Sequence, residues 1–225
     1  MRLRLPSRRY YMLVASLPAL PPRVDGRVPI TPERLEMRLR MLHPDDAEEI
    51  SRMYAVLGWS QQFDEADDAA VVHRYGELMQ RIRNPLAREL LEYVFDVRMI
   101  AVALRARRLG LGPPSAGVGR WFEHVRRNFK DPDFKLRVPF FSIPEVDRML
   151  AEGDLLELYR RYVLGATWEY LRKRADDYYF SFEAVVIYVA RWNRMRMWQQ
   201  LDAERGRARF EGLVEEALGE YASIY

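Results

Sequence analysis

Apolar residues recur along this chain at helical spacing. Leu35, Leu39 and Leu42 share one face of a segment that opens on Thr31-Pro32-Glu33. A hydroxyl N-cap, proline at the first helical position and an acid in the first turn predict a helix start there, with its end near His43. Pro44-Asp45-Asp46 opens a second pattern, with Ile50, Met53, Tyr54 and Leu57 inward and Gly58 closing it. Residues 59–68 read as a loop or a frayed turn. Val71, Val72, Tyr75, Leu78, Met79 and Ile82 then predict a helix over about 68–83. The clearest element is Asn84 to Leu109. Asn84 caps it, Pro85 follows, and Leu86, Leu90, Val94, Val97, Ala101 and Leu104 form the stripe. Arg105, Arg107 and Arg108 offset the negative end of the helix dipole, and Gly110 terminates it.

The second half repeats the grammar with shorter phrases. Gly119 to Phe129 predicts a short helix carrying Trp121, Phe122, Val125 and Phe129. Pro132 and Pro139 make 131–142 irregular, and Ser142 is placed as the cap of a helix through Leu150. Further helices are expected over about 154–174, over 182–204 with Ser181 as cap, and over 207–221. Tyr10 to Ser16 is apolar, aromatic and β-branched, so it reads either as a short extended segment or as an early helical turn. The expected fold class is therefore all-α, in bundle-like lobes, with at most that one N-terminal strand. Gly and Pro gather in 111–119, which makes it the expected linker between lobes at 1–110 and 120–225 within a single helical protein.

Composition narrows the function classes. The chain has 225 residues, 49% of them hydrophobic, and no cysteine. The length suffices for a globular core, and thiolate chemistry, disulfides and Cys-based metal sites are excluded. The N-terminus has basic residues up to Arg9 and an apolar stretch, but Ser16 and Pro18 interrupt it and Pro21, Pro22 and Arg23 follow. A non-secreted, cytoplasmic protein is the expectation. The net charge is +3, and nearly all cations are arginine. That bias discounts arginine clusters as a nucleic-acid signature.

Catalytic patterns are not expected. His43, His73 and His124 stand on separate predicted helices or at their ends, with no metal-ligand spacing. The acid pairs Asp45/Asp46, Glu48/Glu49, Asp67/Asp68, Asp176/Asp177 and Glu215/Glu216 read as helix-start or solvated charges rather than as facing carboxylates. Gly110 and Gly112 are followed by two prolines, which removes the backbone donors that a phosphate loop needs. No catalytic residue, metal or cofactor is assigned.

Two surfaces carry the remaining interest. Arg191, Arg194 and Arg196 are interleaved with Trp192, Met195, Met197 and Trp198. Such a stretch suits a protein-protein hot spot, a nucleic-acid platform, or a core whose arginines snorkel outward. The aromatic runs Tyr10-Tyr11 and Tyr178-Tyr179-Phe180-Ser181-Phe182 suit either mutual packing or an exposed patch.

Three stretches resemble known families. Tyr10 to Pro18, YYMLVASLP, is similar to the YYYLVASLP opening of a bacterial family encoded with V-type ATPase components. Asn84 to Gly110, NPLARELLEYVFDVRMIAVALRARRLG, resembles a helix of the C/d group of V/A-type ATPase proteins. Phe182 to Val186, with Arg194 and Met197-Trp198 downstream, resembles a late family helix that begins FEAVLAY. Met12 replaces the third tyrosine of the first motif, and Met99 stands where the C/d pattern has asparagine.

The resemblance implies a non-catalytic helical component of a rotary, ion-translocating ATPase. Its partners would be the central stalk and the proteolipid ring, which it would join or help to assemble at the cytoplasmic face of the inner membrane. Membrane association would be peripheral and direct nucleic-acid contact is not expected. The candidate protein interface comprises Tyr10, Tyr11, Arg105, Arg191, Trp192, Arg194, Met197 and Trp198. A helical nucleic-acid-binding or regulatory protein is the alternative.

Overall fold

The computed structural model describes residues 8–59, 68–140, 142–153 and 155–201. The fold is all-α. Its helices are α1 (Tyr11–Ser16), α2 (Pro32–Leu39), α3 (Pro44–Trp59), α4 (Asp68–Arg81), α5 (Pro85–Arg108), α6 (Phe122–Arg127), α7 (Ile143–Glu152), α8 (Leu155–Leu158) and α9 (Thr167–Ala175). A π-helical stretch, Tyr159–Ala166, joins α8 to α9, and α10 covers 182–201. Among the described residues no helix is long and apolar enough to cross a membrane. The predicted helix over 207–221 lies outside the described residues.

Local signals place several ends as expected. Thr31 accepts from the Arg34 N–H at 3.4 Å, and Asn84 accepts from the Ala87 N–H at 3.0 Å. Gly110 adopts φ +70 beyond the last turn of α5, a conformation that costs little without a Cβ. Other expectations need correction. The N-terminal strand is absent: Tyr11–Ser16 is helical, and the extended content there is one antiparallel bridge between Arg9 and Ser181. Neither Ser142 nor Ser181 caps with its hydroxyl, and the Ser181 Oγ is buried without a hydrogen-bond partner among the described residues. The expected helix over 154–174 is divided into α8 and α9 by the π-helical stretch.

α5 is the axis of the molecule. Its first half, from Leu86 to Phe95, packs in one core with Leu13, Met53, Leu78, Phe182, Val185 and Val186. Its second half, from Val97 to Leu104, packs in another with Val125, Phe134, Ile143, Val146 and Tyr162. The larger core thus draws on residues from both sides of 111–119. Within that segment a Cβ on Gly117 would fall 2.5 Å from the Phe122 ring.

Side chains far apart in sequence satisfy the irregular stretches. Prolines supply carbonyls but no N–H, so the connection between α1 and α2 needs outside donors. Tyr188 donates to the Pro18 carbonyl at 3.0 Å, Trp168 to Pro22 at 3.3 Å, and Trp192 to Ile30 at 2.9 Å. Glu49 plays the converse part: its buried carboxylate accepts from the Arg83 and Asn84 N–H groups, each at 2.7 Å, just where α4 hands over to α5. Arg107 reaches from the end of α5 to the Asp131 and Pro132 carbonyls, at 2.7 and 2.9 Å, and lies over the Phe134 ring.

Candidate functional site

The candidate interface residues do not form one surface. Tyr10 is buried, and its hydroxyl donates to Asp46. Trp192 is buried with its indole N–H on Ile30, so it is core rather than contact surface. Arg194 is 3% exposed. Burial pulls its guanidinium down to about 10, with the charge of Arg98 adding to the effect and Tyr159 opposing it. Its Nη1 lies 3.6 Å from the Met197 sulfur, and no carboxylate pairs with it among the described residues. Arg191 covers the Trp168 ring at 4.4 Å, and the Trp198 ring is covered by Arg160 at 4.5 Å. The tryptophan faces are therefore occupied from within. Arg105 is exposed at the far end of α5.

Tyr11 is 60% exposed, beside a still more open neighbour, Met12, at 81%. Its ring lies 5.2 Å from that of Phe180, and Tyr179 next to it is 68% exposed. Phe180 holds φ +51, a region that side chains other than glycine rarely adopt. Three contacts hold it there. The Tyr10 N–H donates to the Phe180 carbonyl at 2.6 Å, the Phe182 N–H donates to Arg8 at 3.1 Å, and the Arg9 guanidinium donates to Tyr179 at 2.9 Å. The result is a stiff corner with aromatic and methionine side chains facing water.

A cleft of about 930 Å³ lies between α5, α7 and the π-helix–α9 segment. Helical spacing explains its walls. Glu89, Glu92, Tyr93 and Asp96 share one face of α5, and Tyr162, Gly165, Ala166, Glu169, Tyr170 and Lys173 share the facing side of the other wall. Tyr93 is stacked between two rings, with its centroid 3.9 Å from that of Tyr170 and 5.6 Å from that of Phe140. The Tyr170 hydroxyl donates to Glu89, and Arg174 donates to the other Glu89 oxygen at 2.9 Å.

Asp96 is the unusual member. It is 3% exposed, and its Oδ1 accepts from the Trp121 N–H at 3.0 Å. Burial pushes its carboxyl up to about 7, with Glu92 adding to the rise. The Trp121 and Arg120 N–H groups and the Arg120 charge oppose that rise. Gly119, at φ +115, makes the close approach possible, since a Cβ there would lie 2.5 Å from the Asp96 Oδ1. Burial also raises the Tyr93 phenol to about 12 and drives the Tyr162 phenol higher still. Sequence pattern alone did not single out Asp96. The one signal for it was an acid within the apolar run Val94-Phe95-Asp96-Val97 of a helix interior.

Among the described residues, no group of three or more His, Asp or Glu side chains is placed to hold a metal ion. His124 meets the Phe134 carbonyl at 3.0 Å, while His43 and His73 lie exposed beside Asp45 and Glu77.

A family model described as "Protein of unknown function (DUF2764)" matches residues 52–220, and the chain belongs to that family. No curated protein and no solved structure matches it.

Proposed function

We propose that this member of the DUF2764 family is a non-catalytic component or assembly factor of a bacterial V/A-type rotary ATPase. It would act at the cytoplasmic face of the inner membrane and join the central stalk to the proteolipid ring, in the manner of the C/d group. The reading rests on the resemblance of Tyr10 to Pro18, Asn84 to Gly110 and Phe182 to Val186 to proteins of that system.

One structural observation supports it most. The first of those motifs builds the exposed corner of Tyr11 and Met12 against Phe180, and the third begins two residues after Phe180. A patch of exposed aromatic and methionine side chains is chemistry suited to a protein partner. A corner already fixed by backbone hydrogen bonds loses little conformational freedom on docking. A stiff helical body with a preformed contact also suits a part that transmits force.

The test is affinity capture of the tagged protein from solubilised membranes of its native host, followed by mass spectrometry. Recovery of stalk and ring proteins is expected, together with their loss from a Tyr11→Ser/Met12→Ser variant that still folds. If the ATPase is expressed and intact but none of its components is recovered, the reading is wrong.

A further inference from the structure

Most carboxylates along the large cleft already have partners. Asp25 binds Arg23, Glu89 binds Arg174 and Tyr170, and Glu169 binds Arg172. Glu92 and Asp96 differ. They stand one turn apart on the same face of α5, and neither forms an ion pair with a cation among the described residues. The charge of Arg120 does reach Asp96, but its guanidinium lies 5.5 Å from the centre of the Trp121 ring. Two carboxylates of like charge are thus left side by side in a partly closed, aromatic-walled space.

An independent observation comes from the opposite wall. Tyr162 projects from the π-helical stretch and lines the same cleft. It is buried, and its hydroxyl has no hydrogen-bond partner among the described residues. Tyr162 and both carboxylates line the same cleft, and the charge of Asp96 reaches the Tyr162 phenol. A buried polar group without a partner is rare and signals a missing ligand or water. π-Helical turns are likewise frequent at functional sites.

The chemistry that completes this arrangement is a positive charge carrying several N–H donors. The cleft walls carry seven carboxylates (Asp25, Glu89, Glu92, Asp96, Glu145, Glu157 and Glu169) against four cations (Arg23, Arg120, Arg161 and Lys173), so an anion would enter a space of net negative charge, and a purely apolar ligand would strip Glu92 and Asp96 of water without replacing it. We propose that the cleft binds a small free organic cation, an ammonium or guanidinium group on an aliphatic stem, with Glu92 and Asp96 as counter-charges and the Tyr162 hydroxyl as an acceptor. The aromatic walls receive the stem. The volume lies within the usual range for small-molecule sites. This site is separate from the exposed corner at Tyr11, so its fate does not depend on the partner proposed there.

Isothermal titration calorimetry on the full chain at pH 8 and low salt tests it, with spermidine and agmatine as probes and succinate as the anionic control. Saturable one-to-one binding of at least one cation is expected, with no heat from succinate. Glu92→Gln removes one counter-charge and weakens binding on the order of tenfold or more. Gly165→Met fills the cleft from the π-helical wall, where a Cβ would meet only the Arg160 carbonyl at 3.6 Å. That variant loses binding; Ala166→Met, on the same wall, replaces it if it does not fold. Absence of binding by both cations, an affinity that survives either substitution, or equal binding of succinate overturns the proposal.

Discussion

Replacing Asp96 by Asn removes a charge held out of water while keeping the side chain's shape. The carboxyl is 3% exposed, and its Oδ1 takes the Trp121 N–H. Asn retains an oxygen for that bond. An aspartate in an unfolded chain titrates near about 3.9. In the folded protein burial and Glu92 raise Asp96 to about 7. The folded chain therefore keeps the proton over a window in which the unfolded chain has lost it. The stability contributed by the protonated carboxyl is full below the unfolded value and is lost as pH rises through the folded one. The shift of about three units corresponds to roughly 4 kcal/mol at most, and relaxation with water entry brings the expected loss between pH 5 and pH 8 to about 1–3 kcal/mol. The charged and titratable groups facing Asp96 are Glu92, Arg120, Tyr75, Tyr93 and Tyr162, and the tyrosines stay protonated across that window. Urea denaturation of both proteins at a series of pH values is the assay. The Asn variant should gain on the wild type by about 1–3 kcal/mol as pH goes from 5 to 8. Parallel curves, or a variant less stable at pH 8, would refute the assignment of a strained buried carboxylate.

Three further substitutions probe the same architecture. Gly119→Ala puts a Cβ 2.5 Å from the Asp96 Oδ1 at φ +115, so thermal melts should show a loss of about 2–4 kcal/mol. Glu49→Ala removes the acceptor of two part-buried N–H groups at the α4–α5 junction and should cost about 1–3 kcal/mol, whereas Glu49→Gln, which keeps an acceptor, should cost less than half as much in the same denaturation assay. Arg194→Met replaces a buried guanidinium that touches a methionine sulfur by a shorter, uncharged flexible side chain; it should leave stability unchanged or raise it by about 1 kcal/mol, and a loss above about 2 kcal/mol in urea would refute the reading of an uncompensated buried charge.

The helical class of this protein was determined by short-range pattern. Thr31-Pro32, Asn84-Pro85 and the Gly110 stop act within a few residues, because capping and φ preference are properties of the local backbone. The stripe of α5 was equally legible, since helical spacing alone decides which residues share a face. Periodicity could not tell which aromatic face was buried. Trp192 turned inward because the proline-rich connection at Ile30 needed a donor, and its partner lies far away in the chain. Phe134, Lys135 and Phe180 sit at positive φ against their own preferences, in turns fixed by contacts such as those of Arg107 and Arg9. Local preference at Tyr11–Ser16 was ambiguous, and packing of Leu13 into the larger core went with the helix. The cleft, the buried carboxylate of Asp96 and the idle hydroxyl of Tyr162 came from tertiary structure alone. Burial and the meeting of distant side chains set the charge state of a group, and neither is written in its neighbours along the chain.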